Sequence, residues 1–393
     1  MVVFDSLPTE RGQGLSTAHQ DDGREELRRA LAEQLLSDPE LEADGRLLLE
    51  AFNAGLFCID PGAITAQLTA NFGLAGQLYG ESFLRELTGR ELGWIEKNMP
   101  LPEFRRELAA KLEARIMRLV RSGLLNKDGT VARPALELSA LVLACQELGG
   151  YAVRDLAGRQ AMRKSCLFGS REEHVDFRKG MGWRALALKR SVKTALRRGH
   201  RELQLEDLRA FRRASHQARA IIYAVDCSGS MRGQKIAAAK RAGLALARHA
   251  IEQRDRVGLV LFADRVRASS PPTCEFLELA GVLAPARAAA ETNIEAALGA
   301  AAALLEREKG ARHIILLTDV LPTAGLEPER AMLDKIAELA AVGITTSIVG
   351  ISLDAKGAAL GRRAAELGRG RLFCARELSQ LGAIVLEDYN ALD

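Results

Sequence analysis

Ile221-Ile222-Tyr223-Ala224-Val225-Asp226-Cys227-Ser228-Gly229-Ser230-Met231 decides how this chain folds. An apolar run of strand character stops at a carboxylate, and a helical pattern opens a few residues later at Gln234. Strands buried on both faces read as continuous apolar runs, which marks a parallel sheet covered by helices. The Asp-x-Ser-x-Ser turn delivers one carboxylate and two hydroxyls to the carboxyl end of that strand. Such hard oxygen donors suit a small divalent cation, Mg²⁺ first, with Mn²⁺ or Ca²⁺ as alternatives. Asp, Ser and Gly are also ordinary turn residues, so the motif gains its weight from two segments later in the chain.

Both of those segments supply further oxygens. Glu291-Thr292-Asn293-Ile294 opens a helical pattern, and His313-Ile314-Ile315-Leu316-Leu317-Thr318-Asp319 is a second apolar strand ending in a carboxylate. In an open parallel sheet, the loops beyond the carboxyl ends of the strands meet where the strand order reverses. Asp226, Ser228, Ser230, Thr292 and Asp319 are therefore expected to converge. That set, in that order, resembles the metal-ion-dependent adhesion site (MIDAS) of von Willebrand factor A domains, over roughly residues 219–393. Val320 stands where the family commonly has Gly, and Ala290-Glu291 precedes Thr292 without the usual Gly. Both departures bear on loop shape and leave the ligand identities intact.

Around this stretch the pattern alternates. Strand-like runs at Ala220–Asp226, Val257–Ala263, Ile314–Asp319, Thr345–Gly350 and Arg371–Cys374 alternate with helical patterns. The helical patterns lie at Gln234–Glu252, Glu275–Ala284, Asn293–Lys309, Pro328–Ala341 and Ala355–Leu367, and a last one runs from about Glu377 to Tyr389. Val266–Ala268 reads as a short antiparallel edge strand. The expected class is α/β, a doubly wound, mainly parallel, Rossmann-like sheet with right-handed crossovers. A mostly α-helical amino-terminal domain precedes it. There, Leu27, Leu31, Leu35 and Leu36 recur at helical spacing, as do Phe104, Leu108, Leu112, Ile116 and Val120. Breaks fall at Asp60-Pro61-Gly62, between Pro100 and Pro102, and between Asn126 and Gly129. The domain boundaries so read are 1–22, a polar tail; 23–150, helical; 151–218, a basic segment; and 219–393, the α/β domain. Ile116 to Val131 also admits a winged-helix reading, although simple helix–turn–helix packing explains it with fewer assumptions.

Composition excludes several classes. With 48% apolar and 27% charged residues in 393, the chain has the make-up of a soluble globular protein of two or three domains. It contains no apolar run of the roughly 18 residues a membrane helix needs, no evident secretory leader, and no Gly-x-x-x-x-Gly-Lys-Ser/Thr loop for a nucleotide. Its six cysteines form no C-x-x-C pair, which fits free thiols in a reducing, cytoplasmic setting. Net charge is +4, but Tyr151 to Ala220 holds 18 Lys or Arg against 7 Asp or Glu. That concentration raises a competing reading, in which residues 151–220 bind nucleic-acid phosphates. A hydrolase would need a base beside the ion, for which Asp264 and Glu291 are the nearest candidates; His249 and His313 fall within a helix and at a strand start.

A helical half joined to a carboxy-terminal A domain without disulfides resembles the proteins that work with MoxR-type AAA+ ATPases. It is also similar to the carboxy-terminal part of the magnesium-chelatase D subunit, without that subunit's AAA+ module. The resemblance implies a non-enzymatic adaptor. Its MIDAS grips an acidic residue of a client protein, while a MoxR-type ATPase supplies work for remodelling or for metal or cofactor insertion.

Overall fold

The computed structural model describes residues 27–35, 37–148, 173–176, 187–200, 202–212, 218–288, 291–319, 322–324, 327–375 and 377–392. The expected tail at 1–22 and most of the basic segment lie outside them, as do Cys166, Ala290 and Val320.

The carboxy-terminal half is a six-stranded sheet of order β5-β4-β3-β6-β7-β8. Its strands are β3 (Ala220–Asp226), β4 (Arg256–Phe262), β5 (Val266–Thr273), β6 (Arg312–Thr318), β7 (Ile344–Ile351) and β8 (Arg369–Ala375). All neighbours pair in parallel except β5, which runs antiparallel to β4 at one edge. The chain leaves β3 for β4 on one side and returns to β6 on the other, so the strand order reverses between β3 and β6. Every residue of β3 is buried. Ile221, Tyr223 and Val225 face one core, and Ala220, Ile222 and Ala224 face the other. This is the two-sided burial expected from an apolar run without alternation. A small antiparallel pair, β1 (Glu173–Asp176) with β2 (Arg209–Arg212), stands apart from the sheet.

The amino-terminal half is helical: α1 (residues 27–35), α2 (Pro39–Asn53), α3 (Pro61–Ala70), α4 (Phe72–Tyr79), α5 (Glu81–Thr88), α6 (Leu92–Asn98), α7 (Pro102–Arg121) and α8 (Arg133–Leu148). Its breaks follow local chemistry. Asp38 and Asp60 cap helices that begin with proline, and Asn71 caps α4 through the Leu74 N–H. The isolated bridge Leu125↔Val131 closes the turn between α7 and α8, and Cys58↔Thr130 ties that turn to the segment between α2 and α3, a small β turn compatible with both the winged-helix and the simple helix–turn–helix reading.

Helix α9 (Leu188–Arg197) precedes the sheet; α10 (Gln234–Glu252), α11 (Phe276–Leu283), α12 (Ile294–Leu305), α13 (Pro328–Ala341), α14 (Ala355–Leu367) and α15 (Leu381–Asn390) surround it. Helices α12, α13 and α14 pack one sheet face. On the other face, α10, α11 and α15 belong to a core that continues without a break into the helical half, joining Tyr223 and Leu279 to Phe52, Leu138 and Leu141. Helix α11 lies against α8, and α10 touches both α2 and α8. The two halves therefore share one core on this side of the sheet. Among the described residues, no helix is long and apolar enough to cross a membrane.

Candidate metal centre

Asp226 ends β3 with its side chain fully buried. Its Oδ1 accepts the Ser228 N–H at 2.8 Å, closing an Asx-type turn, and its Oδ2 accepts the Thr318 hydroxyl at 2.7 Å. The pairing Val225↔Leu317 between β3 and β6 places the next residues, Asp226 and Thr318, side by side. Beyond Asp226, a short 3₁₀ turn (Gly229–Met231) brings the Ser228 and Ser230 hydroxyl oxygens to 3.0 Å from each other. The Ser230 hydroxyl then donates to Asp319 Oδ1 at 2.8 Å. Four of the five expected residues, from two strands that flank the reversal of strand order, thus form one polar cluster.

Thr292 reaches this end of the sheet through its main chain. Its N–H donates to the Thr323 hydroxyl at 3.1 Å, and its carbonyl accepts the Thr323 and Ala324 N–H groups at 3.0 and 3.2 Å. The next N–H, that of Asn293, donates to the Ala263 carbonyl at 2.7 Å, just past β4. Thr292 itself is buried. Among the described residues, no hydrogen bond joins its hydroxyl to the other four candidates.

Lys235, in the first turn of α10, places its ammonium 2.5 Å from Asp319 Oδ2. The sequence offered one clue to it: a cation one turn beyond the serine loop. Thr318 was legible only as the residue before a candidate ligand. Burial pushes the Asp226 carboxyl up to about 6, with the Asp319 charge adding to it; the bonds from Thr318 and Ser228 oppose the shift. Two carboxylates close enough to disturb each other hold an excess of negative charge that one lysine answers in part.

This donor chemistry fits a small hard divalent cation. The set is two carboxylates and two hydroxyls at an open loop, with a third hydroxyl carried by Thr292. The two serine hydroxyl oxygens lie 3.0 Å apart, and one of them bonds the Asp319 carboxylate, so neutral and charged oxygens are grouped together. Among the described residues no group of three His, Cys, Asp or Glu could hold a metal, so hydroxyls are indispensable to any cation site here.

Three of the four residues considered as bases are engaged by neighbouring side chains. Asp264 pairs with Arg267 at 2.5 Å. Glu291 is exposed, three residues before the α12 start and next to Thr292. His313 is buried between Thr345 and Asp388, and His249 packs edge-on against Tyr389. Cys227 is buried inside the serine loop, and burial raises its thiol to about 12, as expected of an inert packing cysteine.

Residues 221–321 match the family model of the von Willebrand factor type A domain, a span that contains all five candidate ligands. With the sheet order above, this gives the carboxy-terminal half a von Willebrand factor A fold. An uncharacterized protein of Mycobacterium tuberculosis is 32% identical over 151 residues, which is 37% of this chain and 24% of that protein. The chain thus aligns with about a quarter of that relative's length. Three solved structures are similar. An aerotolerance-related membrane protein from Bacteroides fragilis has 20% identity and a TM-score of 0.37, covering 44% of this chain and 99% of its own. The von Willebrand domain of a type V pilus tip protein from Porphyromonas gingivalis has 13% identity and a TM-score of 0.39, covering 46% and 98%. A von Willebrand factor type A protein from Catenulispora acidiphila has 21% identity and a TM-score of 0.34, covering 44% and 41%.

Proposed function

We propose that Asp226, Ser228, Ser230, Thr292 and Asp319 form a divalent-cation site through which this protein docks an acidic residue of a partner protein, without catalysing a reaction. The observation that carries the proposal is the hydrogen-bonded run from Ser228 through Ser230 to Asp319, next to buried Asp226, at the reversal of strand order. A bound Mg²⁺ supplies positive charge and a directional position for a carboxylate oxygen of the partner. Mn²⁺ or Ca²⁺ would serve the same donors. The chain's own part is to hold those donors. Thr318 and the Ser228 N–H fix the rotamer of Asp226, and the serine hydroxyls supply neutral oxygens that leave the ion's charge uncancelled. Lys235 answers the Asp319 charge while no ion is bound and gives way to an ion that enters the loop.

The wider role comes from the resemblance and is part of the proposal. The partner would be a MoxR-type AAA+ ATPase together with an acidic client, in a cytoplasmic setting, during complex remodelling or metal or cofactor insertion. The competing reading assigns phosphate binding to residues 151–220. Within the described residues it is favoured by α9, which exposes Lys189, Lys193 and Arg197.

A pull-down with the tagged full chain separates the two. The conditions are Mg²⁺, EDTA at matched ionic strength, and Asp226→Ala with Mg²⁺. An ATPase or a defined enzyme retained only with Mg²⁺ and an intact Asp226 supports docking. Partners retained equally in all three conditions would rule out the cation site as the docking point. Nucleic acid lost between about 50 and 200 mM salt would favour the basic segment.

A further inference from the structure

Asn53, the last residue of α2, holds the α/β half at two points. Its main-chain carbonyl accepts the Gly233 N–H at 2.8 Å. Its side-chain Oδ1 accepts the Lys240 ammonium at 2.7 Å, and Lys240 also donates to the Ala284 carbonyl at 2.8 Å. Lys240 is 1% exposed, so these contacts lie inside the shared core. Gly233 directly precedes α10, three residues after Ser230 and two before Lys235. Its φ of 78° and ψ of −123° suit glycine and strain any L side chain.

The same turn of chain reaches the second loop of the site. Gly55 has φ 81°, and a Cβ placed there would meet Arg232 Nε at 3.4 Å and the Ala288 carbonyl oxygen at 3.5 Å. Phe57 carries the Arg287 guanidinium over its ring at 4.8 Å. Arg232 comes just after the serine loop, while Arg287 and Ala288 lead towards Thr292. One turn of the helical half, residues 53–57, is therefore seated against both loops that deliver ligands from this side of the sheet.

The chemistry of the contact is informative. An apolar residue at position 240 would join two apolar surfaces at less desolvation cost than a buried ammonium. A hydrogen-bonded lysine instead imposes direction: its partners must sit at fixed angles, which sets where α2 ends relative to α10. A ligand site whose oxygens must fall within a few tenths of an ångström gains from such fixation.

We infer that the Asn53–Phe57 turn positions the two loops of the cation site, so that the helical half sets the site's affinity and senses its occupancy. Asn53 is a positioning residue, since it acts on the site through Gly233 and Lys240. The inference rests on the cation-site reading above. Coupling between two sites is reciprocal, so cation binding tightens the turn as much as the turn tightens cation binding.

Binding of Mn²⁺ to the full chain, monitored by the electron paramagnetic resonance of the free ion, tests it. Asn53→Ala is expected to weaken binding about tenfold, within the usual range for coupled sites. Asn53→Asp keeps an oxygen for Lys240 and should stay within about twofold of the unaltered chain on the same scale. Asn98→Ala, at the far end of α6, should change nothing. Equal affinity in the unaltered and Asn53→Ala chains overturns the inference and leaves the cation site standing. Failure of the unaltered chain to bind Mn²⁺ overturns both. Should Asn53→Ala not fold, amide exchange on the unaltered chain decides. Added Mg²⁺ is expected to slow exchange at the Gly233 N–H and across residues 53–57; an unchanged rate there refutes the coupling.

Discussion

The two ends of the central sheet carry almost the same chemistry and put it to different use. At the amino end, Asp255 accepts the Arg219 N–H at 2.7 Å, the Arg219 Nε at 2.8 Å and the Tyr389 hydroxyl at 2.6 Å. Asp388 accepts the Ser347 hydroxyl at 2.7 Å and lies 3.0 Å from His313 Nε2. At the carboxyl end stand another two carboxylates, Asp226 and Asp319, with another group of hydroxyls. The difference lies in closure. Helix α15 brings Asp388 and Tyr389 over the amino end and seals it, so that each carboxylate there is met by groups fixed in the core. No comparable lid covers the carboxyl end among the described residues, where Ser230 is exposed and Lys235 reaches in from solvent. A buried polar cluster with all its partners supplied by the chain is structural; one left open to solvent can take its last partner from outside.

The sharpest break in that contrast is Asp255→Ala. Arg219 and the Tyr389 hydroxyl would lose their shared carboxylate in the core, and breaking a buried charge pair of this kind costs about 3–5 kcal/mol. Urea denaturation should show a loss of that size, with the Mg²⁺ affinity of the folded protein unchanged. A loss under about 1 kcal/mol would mean that the amino end is no more structural than the other.

At the carboxyl end the expected effects are smaller and depend on pH. In the metal-free chain Asp226 titrates near 6, above its ordinary 3.8, because burial opposes its charge. A carboxyl raised by folding is protonated first in the folded state. Between about pH 6 and pH 4 the folded chain therefore holds the extra proton, and this group's contribution to stability grows as pH falls. The gain is on the order of 2–3 kcal/mol, at about 1.4 kcal/mol per pH unit. Mg²⁺ acts in the opposite sense, because it needs the carboxylate. At a hundredfold excess over its dissociation constant it should add about 2.7 kcal/mol. That increment should fade as pH falls through 6. Thermal unfolding between pH 4.5 and 7.5, with and without Mg²⁺, reads both slopes, and Asp226→Ala should lose both. An identical pH profile in that variant would show that Asp226 is not the titrating group.

What the sequence revealed depended on whether the cause was local. The serine loop and the Asp319 strand end are contiguous patterns, and the structure places four of the five residues in one hydrogen-bonded cluster. Helix bounds at Gln234–Glu252, Pro328–Ala341 and Ala355–Leu367 were legible to the residue. Helix α12 stops at Leu305, short of the expected Lys309, where Glu308 turns to pair with Arg256. Strand β5 runs to Thr273, well past Ala268, although Pro271 and Pro272 signal a break. An edge strand tolerates them because it bonds one neighbour only. The shared core was not legible: helical periodicity shows that α2 and α8 have an apolar face, but not that the sheet's helices cover it. Nor were the contacts of Asn53 with Lys240 or of Lys235 with Asp319, which join residues 187 and 84 positions apart.

Lys235 gives the smallest expected effect and the finest test of the open end. Among the described residues it is the one cation paired with Asp319, and its side chain is 33% exposed. A divalent ion entering the loop meets the repulsion of this ammonium and competes with it for the same carboxylate. Lys235→Gln removes the charge and keeps a hydrogen-bond donor for Asp319. If the ammonium stands in for part of the ion's charge, the variant should bind Mg²⁺ several-fold more tightly, about 1 kcal/mol, the size of a partly screened contact at this exposure. Its stability without metal should fall by a similar amount, since Asp319 loses its counter-charge. Calorimetric titration and denaturation of the same samples measure both. Weaker Mg²⁺ binding in Lys235→Gln would reverse the assignment: Lys235 would then hold Asp319 in place for the ion, and the carboxyl end would owe its order, as the amino end does, to a partner built into the chain.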